Sequence, residues 1–313
     1  MAVSEFVSYR DRLVSACAKG IVGKNTEITL LAVCYLCGGH VLLEDLPGTG
    51  KTMLLRAFAK ATGGSFRRIQ FTPDVMPSDV TGIHFYNLKT GEFEFRPGPI
   101  FADMVLADEI NRATPRTQSS LLEAMAERQV SVDGVTRTLG STFMVAATQN
   151  PIESFGTFPL PEAQLDRFMM RLKLGYMQRS EEIAVALRRD TERIIDEITP
   201  VVSQEETLRL RAALDTIEIS EPVMQYVMDI IDKTRTDSRF HAGASVRGTI
   251  ALCKTARARA AFCGRSFVTP DDVKLLAPYV LAHRLHYRTA AGSAEAEELF
   301  HAMLNGIPVP TEA

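Results

Sequence analysis

The sequence predicts an α/β protein, a parallel sheet held between helices, followed by a smaller domain built of helices. Three observations predict it. Short apolar, β-rich runs alternate with amphipathic helical runs through roughly the first 175 residues. One of those apolar runs passes through a glycine-rich loop straight into a helix, and beyond Gly175 strand signals fade while helix signals follow one another.

The chain has 313 residues, enough for about two domains with a core that needs neither disulfides nor a structural metal. Lys and Arg number 35 against 38 Asp and Glu, a formal net charge of -3, and 46% of residues are hydrophobic, so the chain reads as globular and advertises no nucleic-acid partner through basic excess. The longest uncharged stretch, Ile28 to Leu43, is too short to span a bilayer and is broken by Gly38-Gly39. Residues Met1 to Arg10 lack the basic start and apolar stretch of a secretory signal, and five cysteines without disulfide-like spacing fit a reducing compartment; the expected location is cytoplasmic. Cys34 and Cys37 form a CxxC within the helical run Glu27 to Cys37 and read as helix packing. Without an HExxH motif or a second cysteine pair, a metal held by protein side chains alone has no support, and His283 and His286 are expected to decorate a helix end.

Expected core strands are His40–Glu44, Arg67–Phe71, Val105–Ala107, Thr142–Ala147 and Met170–Leu174, with helices such as Thr52–Ala61 and Thr117–Glu127 between them. Two segments interrupt the alternation. Ile83–Asn87 and Glu92–Arg96 flank Lys89-Thr90-Gly91, and Gln129–Val132 and Val135–Leu139 flank Asp133-Gly134; each reads as an inserted β-hairpin or, alternatively, as extra edge strands of the main sheet. In the second domain, Ser203-Gln204-Glu205-Glu206 and Thr269-Pro270-Asp271-Asp272 are helix starts, and Ala244–Cys263 is a long helix. The resulting division is an α/β domain over 1–175, a helical domain over 176–290 and a short tail over 291–313.

The strand His40–Glu44 runs into Asp45-Leu46-Pro47-Gly48-Thr49-Gly50-Lys51-Thr52, the strand–loop–helix context of a phosphate-binding loop. Glycines at 48 and 50 let backbone N–H groups converge on an anion, the helix start adds its dipole, Lys51 would reach the β- and γ-phosphates, and Thr52 would bind Mg²⁺. Asp45 replaces the first glycine of G-x-x-x-x-G-K-[ST]. A second apolar run, Met104 to Ala107, ends in Asp108 and Glu109; on a strand next to the loop strand, Asp108 would hold Mg²⁺ and Glu109, pointing to the other side, would be the base for an attacking water. A third, Thr142–Ala147, leads into Thr148-Gln149-Asn150-Pro151, where Asn150 is placed to bond the γ-phosphate or that water. Arg167 precedes the last strand and Arg247 lies near a helix start; either would stabilise transition-state charge if brought to the phosphate.

Together, Leu46–Thr52 (LPGTGKT), Gly98–Ala113 (GPIFADMVLADEINRA), Thr148–Pro151 (TQNP), Leu160–Phe168 (LPEAQLDRF) and Gly243–Arg247 (GASVR) resemble the MoxR branch of the AAA+ ATPases, from Ile21 to Asp272. The resemblance implies ATP and Mg²⁺ as cofactors, Pro47 to Thr52 as the phosphate loop, and Val22 and Gly23 in the adenine pocket. It implies sensor roles for Asn150 and Arg247 and a finger role for Arg167, with Val246 standing where the family has proline. The hairpins would be the helix 2 and pre-sensor 1 inserts. The resemblance further implies a ring, usually a hexamer, in which Arg167 reaches the neighbour's ATP while Arg247 reads its own, and a client protein, with von Willebrand factor A domain proteins as the usual partners. The function expected is remodelling, assembly or maturation of protein complexes. A nucleotide-gated scaffold with slow turnover and a nucleic-acid or chelatase-type motor stand as alternatives.

Overall fold

A computed structural model describes residues 2–44, 48–149, 157–188, 190–288 and 293–310. Two helices, α1 (Ser4–Ala18) and α2 (Asn25–Leu36), precede strand β1 (Val41–Glu44) and helix α3 (Lys51–Ala61). Next come β2 (Phe66–Gln70), α4 (Pro77–Thr81), the pair β3 (Gly82–Asn87) and β4 (Glu92–Pro97), β5 (Met104–Asp108) and α5 (Pro115–Glu127). The pair β6 (Gln129–Val132) and β7 (Val135–Thr138), β8 (Met144–Gln149), α6 (Glu162–Leu165) and β9 (Met170–Leu172) complete the α/β portion. Helices α7 (Arg179–Ala186), α8 (Thr191–Asp196), α9 (Gln204–Ala213) and α10 (Glu221–Thr236) follow, then β10 (Phe240–Ala242), α11 (Val246–Phe262), α12 (Pro270–Leu281), β11 (His286–Tyr287) and α13 (Ser293–Asn305).

Five strands form the main sheet in the order β2-β5-β8-β1-β9, every pairing parallel. Period-two alternation sorts their side chains onto two apolar layers. Val41, Leu43, Met104, Leu106, Met144 and Ala146 face the layer of α1, α2 and α3, while Leu42, Val105, Ala107, Val145 and Ala147 face the layer of α5. One expectation is corrected here. The strand carrying Asp108 does not adjoin the loop strand; β8 lies between them and pairs with both. A parallel strand needs a crossover, and nothing in the spacing of the runs dictates which neighbour it joins.

The inserted segments are hairpins of their own. β3 with β4 and β6 with β7 are separate two-stranded antiparallel sheets, so neither extends the main sheet. Asp133 and Gly134 both take positive φ, 51° and 79°, as the primed two-residue turn requires.

Beyond β9 the described residues are mainly helical, with a short antiparallel ladder between β10 and β11 that joins the start of α11 to the end of α12 and an isolated bridge between Glu218 and Phe267. Ser203 caps α9 by accepting from the N–H of Glu206 (3.0 Å), and Thr269 with Asp272 forms the reciprocal capping box of α12. The segment expected as a tail contains α13, whose Phe300, Met303 and Leu304 are buried. Its apolar side chains recur at helical spacing, which its Ala- and Glu-rich composition obscured.

Candidate functional site

Helix α3 starts at the carboxyl end of the sheet with Gly50 as its N-cap in the left-handed region (φ 88°), and Gly48 is left-handed too (φ 82°). A Cβ at either position would meet nothing within 4 Å, so glycine is needed there for backbone conformation and not for room. Leu54, Leu55 and Phe58 bury the inner face of α3, and Phe58 meets Tyr35 of α2 edge to face at 5.5 Å, which fixes the helix start against the sheet. Gly48, Thr49, Gly50, Lys51, Thr52 and Met53 line one side of a cavity of about 360 Å³. The other side is made by Arg68, Asp108, Glu109, Thr148 and Gln149, which come from the ends of β2, β5 and β8.

Both carboxylates therefore enter the same cavity, contrary to the strand alternation expected of them. The strand ends at Asp108, and Glu109 turns into the left-handed region (φ 57°, ψ 49°). Such a conformation costs a non-glycine residue about 1–3 kcal/mol and persists where the surroundings hold it. Here Glu109 N–H donates to Thr148 Oγ1 (2.8 Å), and Gln70 Nε2 (2.9 Å) and Arg112 Nε (3.2 Å) hold the carboxylate through Oε2. Thr148 Oγ1 in turn donates to Asp108 Oδ1 (2.6 Å), while Arg68 donates to Asp108 Oδ2 through Nε (3.0 Å) and a terminal nitrogen (2.5 Å). The hydroxyl of Thr148 thus orients both acids. Arg68, Gln70, Arg112 and Thr148 carried no role in the sequence reading. Arg68 and Gln70 share one face of an ordinary-looking strand, and only the pairing of β2 with β5 sets Gln70 opposite Asp108.

The donor set fits a hard divalent cation bound with a phosphate. Thr52 and Asp108 present a hydroxyl and a carboxylate to the same cavity, and the lone pairs of Asp108 not engaged by Thr148 and Arg68 suit the water-mediated contacts Mg²⁺ favours.

Other expected residues lie elsewhere. Pro47 and Asn150, with Asp45 and Leu46, fall outside the described residues. Val22 and Gly23 sit in the turn between α1 and α2, apart from the phosphate cavity, with the carboxylate of Glu181 packed over Gly23. Arg167 donates to the carbonyl of Leu122 (3.1 Å) and lines a second recess, not the phosphate cavity. Arg247 lines that same recess. In this structure Arg247 is grouped with Arg167 and is not among the residues lining the phosphate cavity with Lys51. Val246, standing where the family has proline, occupies the first helical position of α11, and Ser245 caps that helix. His283 is likewise not a surface decoration. It is buried, and its Nε2 donates to the carbonyl of Phe168 (3.0 Å). Cys34 and Cys37 are buried in α2 and at its end, with burial raising both thiols.

Comparison with known proteins identifies the family and the fold. Residues 40–170 match the model of the ATPase family associated with various cellular activities, and residues 232–302 match the AAA lid domain. The chain is 47% identical over 294 residues to the YeaC protein of Bacillus subtilis, covering 93% of this chain and 92% of that one. It is 37% identical to Chaperone MoxR1 of Mycobacterium tuberculosis, covering 96% of this chain and 82% of the relative. A crystal structure assigned to the ATPase class, from Cytophaga hutchinsonii, superposes with a TM-score of 0.89 at 36% identity over 98% of both chains. A glycine-turned helix start facing an acidic strand end, in a chain alike from end to end to proteins named MoxR, makes this protein a member of the MoxR family of AAA+ ATPases.

Proposed function

We propose that the protein is an ATP-hydrolysing, chaperone-like machine that acts as a ring, hexameric by the family's usual size, to remodel, assemble or mature partner protein complexes in the cytoplasm. The observation that carries the reading is the single cavity in which Lys51 and Thr52 at a helix start face Asp108 and Glu109. Backbone N–H groups of the loop and the dipole of α3 bind the phosphates, and Lys51 neutralises charge between the β and γ positions. Mg²⁺, held by Thr52 and Asp108, supplies Lewis-acid stabilisation of phosphoryl charge when bound. Glu109, fixed by Gln70, Arg112 and Thr148, takes the proton from the attacking water. Asn150, directly after β8, orients that water or the γ-phosphate. Val22 and Gly23 border the adenine.

Arg167 and Arg247 act on the nucleotide of a second copy, because both line a recess apart from their own phosphate loop. Each chain then carries a loop on one side and arginines on the other, the heterologous contact that closes into a ring. The division into a nucleotide-binding domain over 1–175 and a lid over 176–290 belongs to this reading, as does the client-facing role of the hairpins. Tyr86, Leu88 and Phe93 at the tip of the first hairpin are 51%, 89% and 73% exposed, an apolar end suited to a protein client; a von Willebrand factor A domain partner is the one the family suggests. Phe95, on the same hairpin, is instead packed against Phe101 and His84. A nucleic-acid track is disfavoured by Glu92 and Glu94 beside Lys89 and Arg96 on the same hairpin.

Steady-state ATP turnover tests the reading. Glu109→Gln is expected to lower kcat about 100-fold or more while nucleotide binding persists, and Arg167→Ala to lower it by a comparable factor. An equal mixture of the two variants should regain part of the lost turnover, since each supplies the half the other lacks. Wild-type turnover in both single variants would exclude the mechanism.

A further inference from the structure

The recess that receives Arg167 is bounded by Arg128, Arg167, Arg247, Lys254 and Arg284, and no carboxylate is among its described lining. Like charges gathered in a partly desolvated hollow repel one another and lower their energy when an anion enters. Arg284 differs from the others in being 3% exposed, and one of its terminal nitrogens, buried, has no hydrogen-bond partner. Burial, with Arg247 adding like charge, pulls its guanidinium down to about 10.

The remaining nitrogens of Arg284 reach out of the lid to the core tripeptide Asp166-Arg167-Phe168. One terminal nitrogen donates to the carbonyl of Phe168 (2.6 Å), which also accepts from His283 Nε2, and Nε pairs with Asp166 Oδ1 at 3.6 Å. Ser245 Oγ lies 3.1 Å from both oxygens of Asp166 while it caps α11, two residues before Arg247. The lid therefore grips the residues on both sides of Arg167, through the same carboxylate that fixes the helix start carrying Arg247. We propose that Asp166 and Arg284 are positioning residues, a clasp that joins lid to core and sets Arg167 and Arg247 side by side so that both meet one terminal phosphate on a second copy of this chain. Lid and finger then move as one body, and a neighbour's nucleotide is addressed by both arginines or by neither. The inference rests on the reading of Arg167 and Arg247 given above.

The test uses full-length Asp166→Asn, Arg284→Met and the conservative Arg284→Lys. Asp166→Asn and Arg284→Met are expected to lower kcat at least about tenfold with KM for ATP and nucleotide affinity within about twofold, since the phosphate loop is untouched. Arg284→Lys, which keeps the charge, should recover part of that loss. Amide exchange over 244–250 and 282–287 should quicken in Asp166→Asn while exchange in α3 stays unchanged. Mixing Asp166→Asn with Glu109→Gln should restore turnover above either alone, because the second variant supplies intact arginines to the first. Unchanged kcat and unchanged exchange in Asp166→Asn, a parallel loss of nucleotide binding, or silent mixtures would each overturn the clasp. The two readings fail separately: if Glu109→Gln and Arg167→Ala keep full turnover the ATPase mechanism falls, whereas if those lose turnover and Asp166→Asn does not, only the clasp falls.

Discussion

Thr148 is buried at the end of β8, and its hydroxyl is donor to Asp108 and acceptor from the Glu109 amide. Replacing it by valine, nearly equal in shape, removes both bonds and strands the amide that keeps Glu109 in the left-handed region, a loss of about 1–3 kcal/mol at the site. The expected outcome for Thr148→Val is a fall in kcat of about tenfold or more with nucleotide affinity nearly unchanged, read by steady-state turnover beside a fluorescent-nucleotide titration. Retained kcat would show that Glu109 is held by Gln70 and Arg112 alone. In the sequence Thr148 is one more polar residue where an apolar run meets a turn. Its importance arises because β5 and β8 pair in parallel with Ala107 opposite Ala147, which brings Thr148 level with the two acids one step further on.

The two hairpins, read separately in the sequence, are joined in space. His84 on β3 places Nδ1 2.7 Å from Asp133 in the turn of the second hairpin and Nε2 3.2 Å from Arg137 on β7. The Arg137 guanidinium also lies 3.8 Å over the ring of Phe95 on β4. These contacts tie the two hairpins together. His84→Ala is expected to speed amide exchange about fivefold in both β3–β4 and β6–β7, measured by mass spectrometry on the full chain. Faster exchange in the first hairpin alone would mean that the inserts move independently. Turn chemistry at Asp133-Gly134 made the second hairpin legible, since both residues need positive φ. The latch was not legible, because the residues it joins are about 50 apart in sequence.

Across the whole molecule one apolar layer runs without a break from α1, α2 and α3 under the sheet into α10, α11, α12 and α13. Two buried histidines stand within this fold. His40 Nδ1 accepts from the N–H of Val145 (2.9 Å) and Nε2 donates to the carbonyl of Met125 (3.1 Å), so the folded chain needs the ring neutral; burial lowers it from 6.5 to about 4. Burial also lowers His283 well below 6.5. A group whose folded value lies below its unfolded value contributes fully above the unfolded value, and the contribution is lost as pH falls. For His40 this loss runs from about pH 6.5 down to about pH 4 and amounts to about 3 kcal/mol. Urea denaturation at pH 7.5, 5.5 and 4.5 should show that loss in the wild type and a flatter dependence in His40→Gln. Equal slopes would remove His40 from the account.

The sequence by itself determined the fold class, the helix start that carries Lys51, the strand end that carries Asp108 and Glu109, and the two strand–turn–strand inserts, because each depends on local rules: glycine where φ is positive, alternation of apolar residues, carboxylates closing an apolar run. Only the tertiary structure decided that β8 separates β1 from β5, that a left-handed turn swings Glu109 into the cavity of Asp108, and that Arg247 sits with Arg167. It also decided that 293–305 is a packed helix and not a tail. These depend on which distant segments share a buried face, and that is chosen by the joint packing of the whole core, which no local pattern encodes.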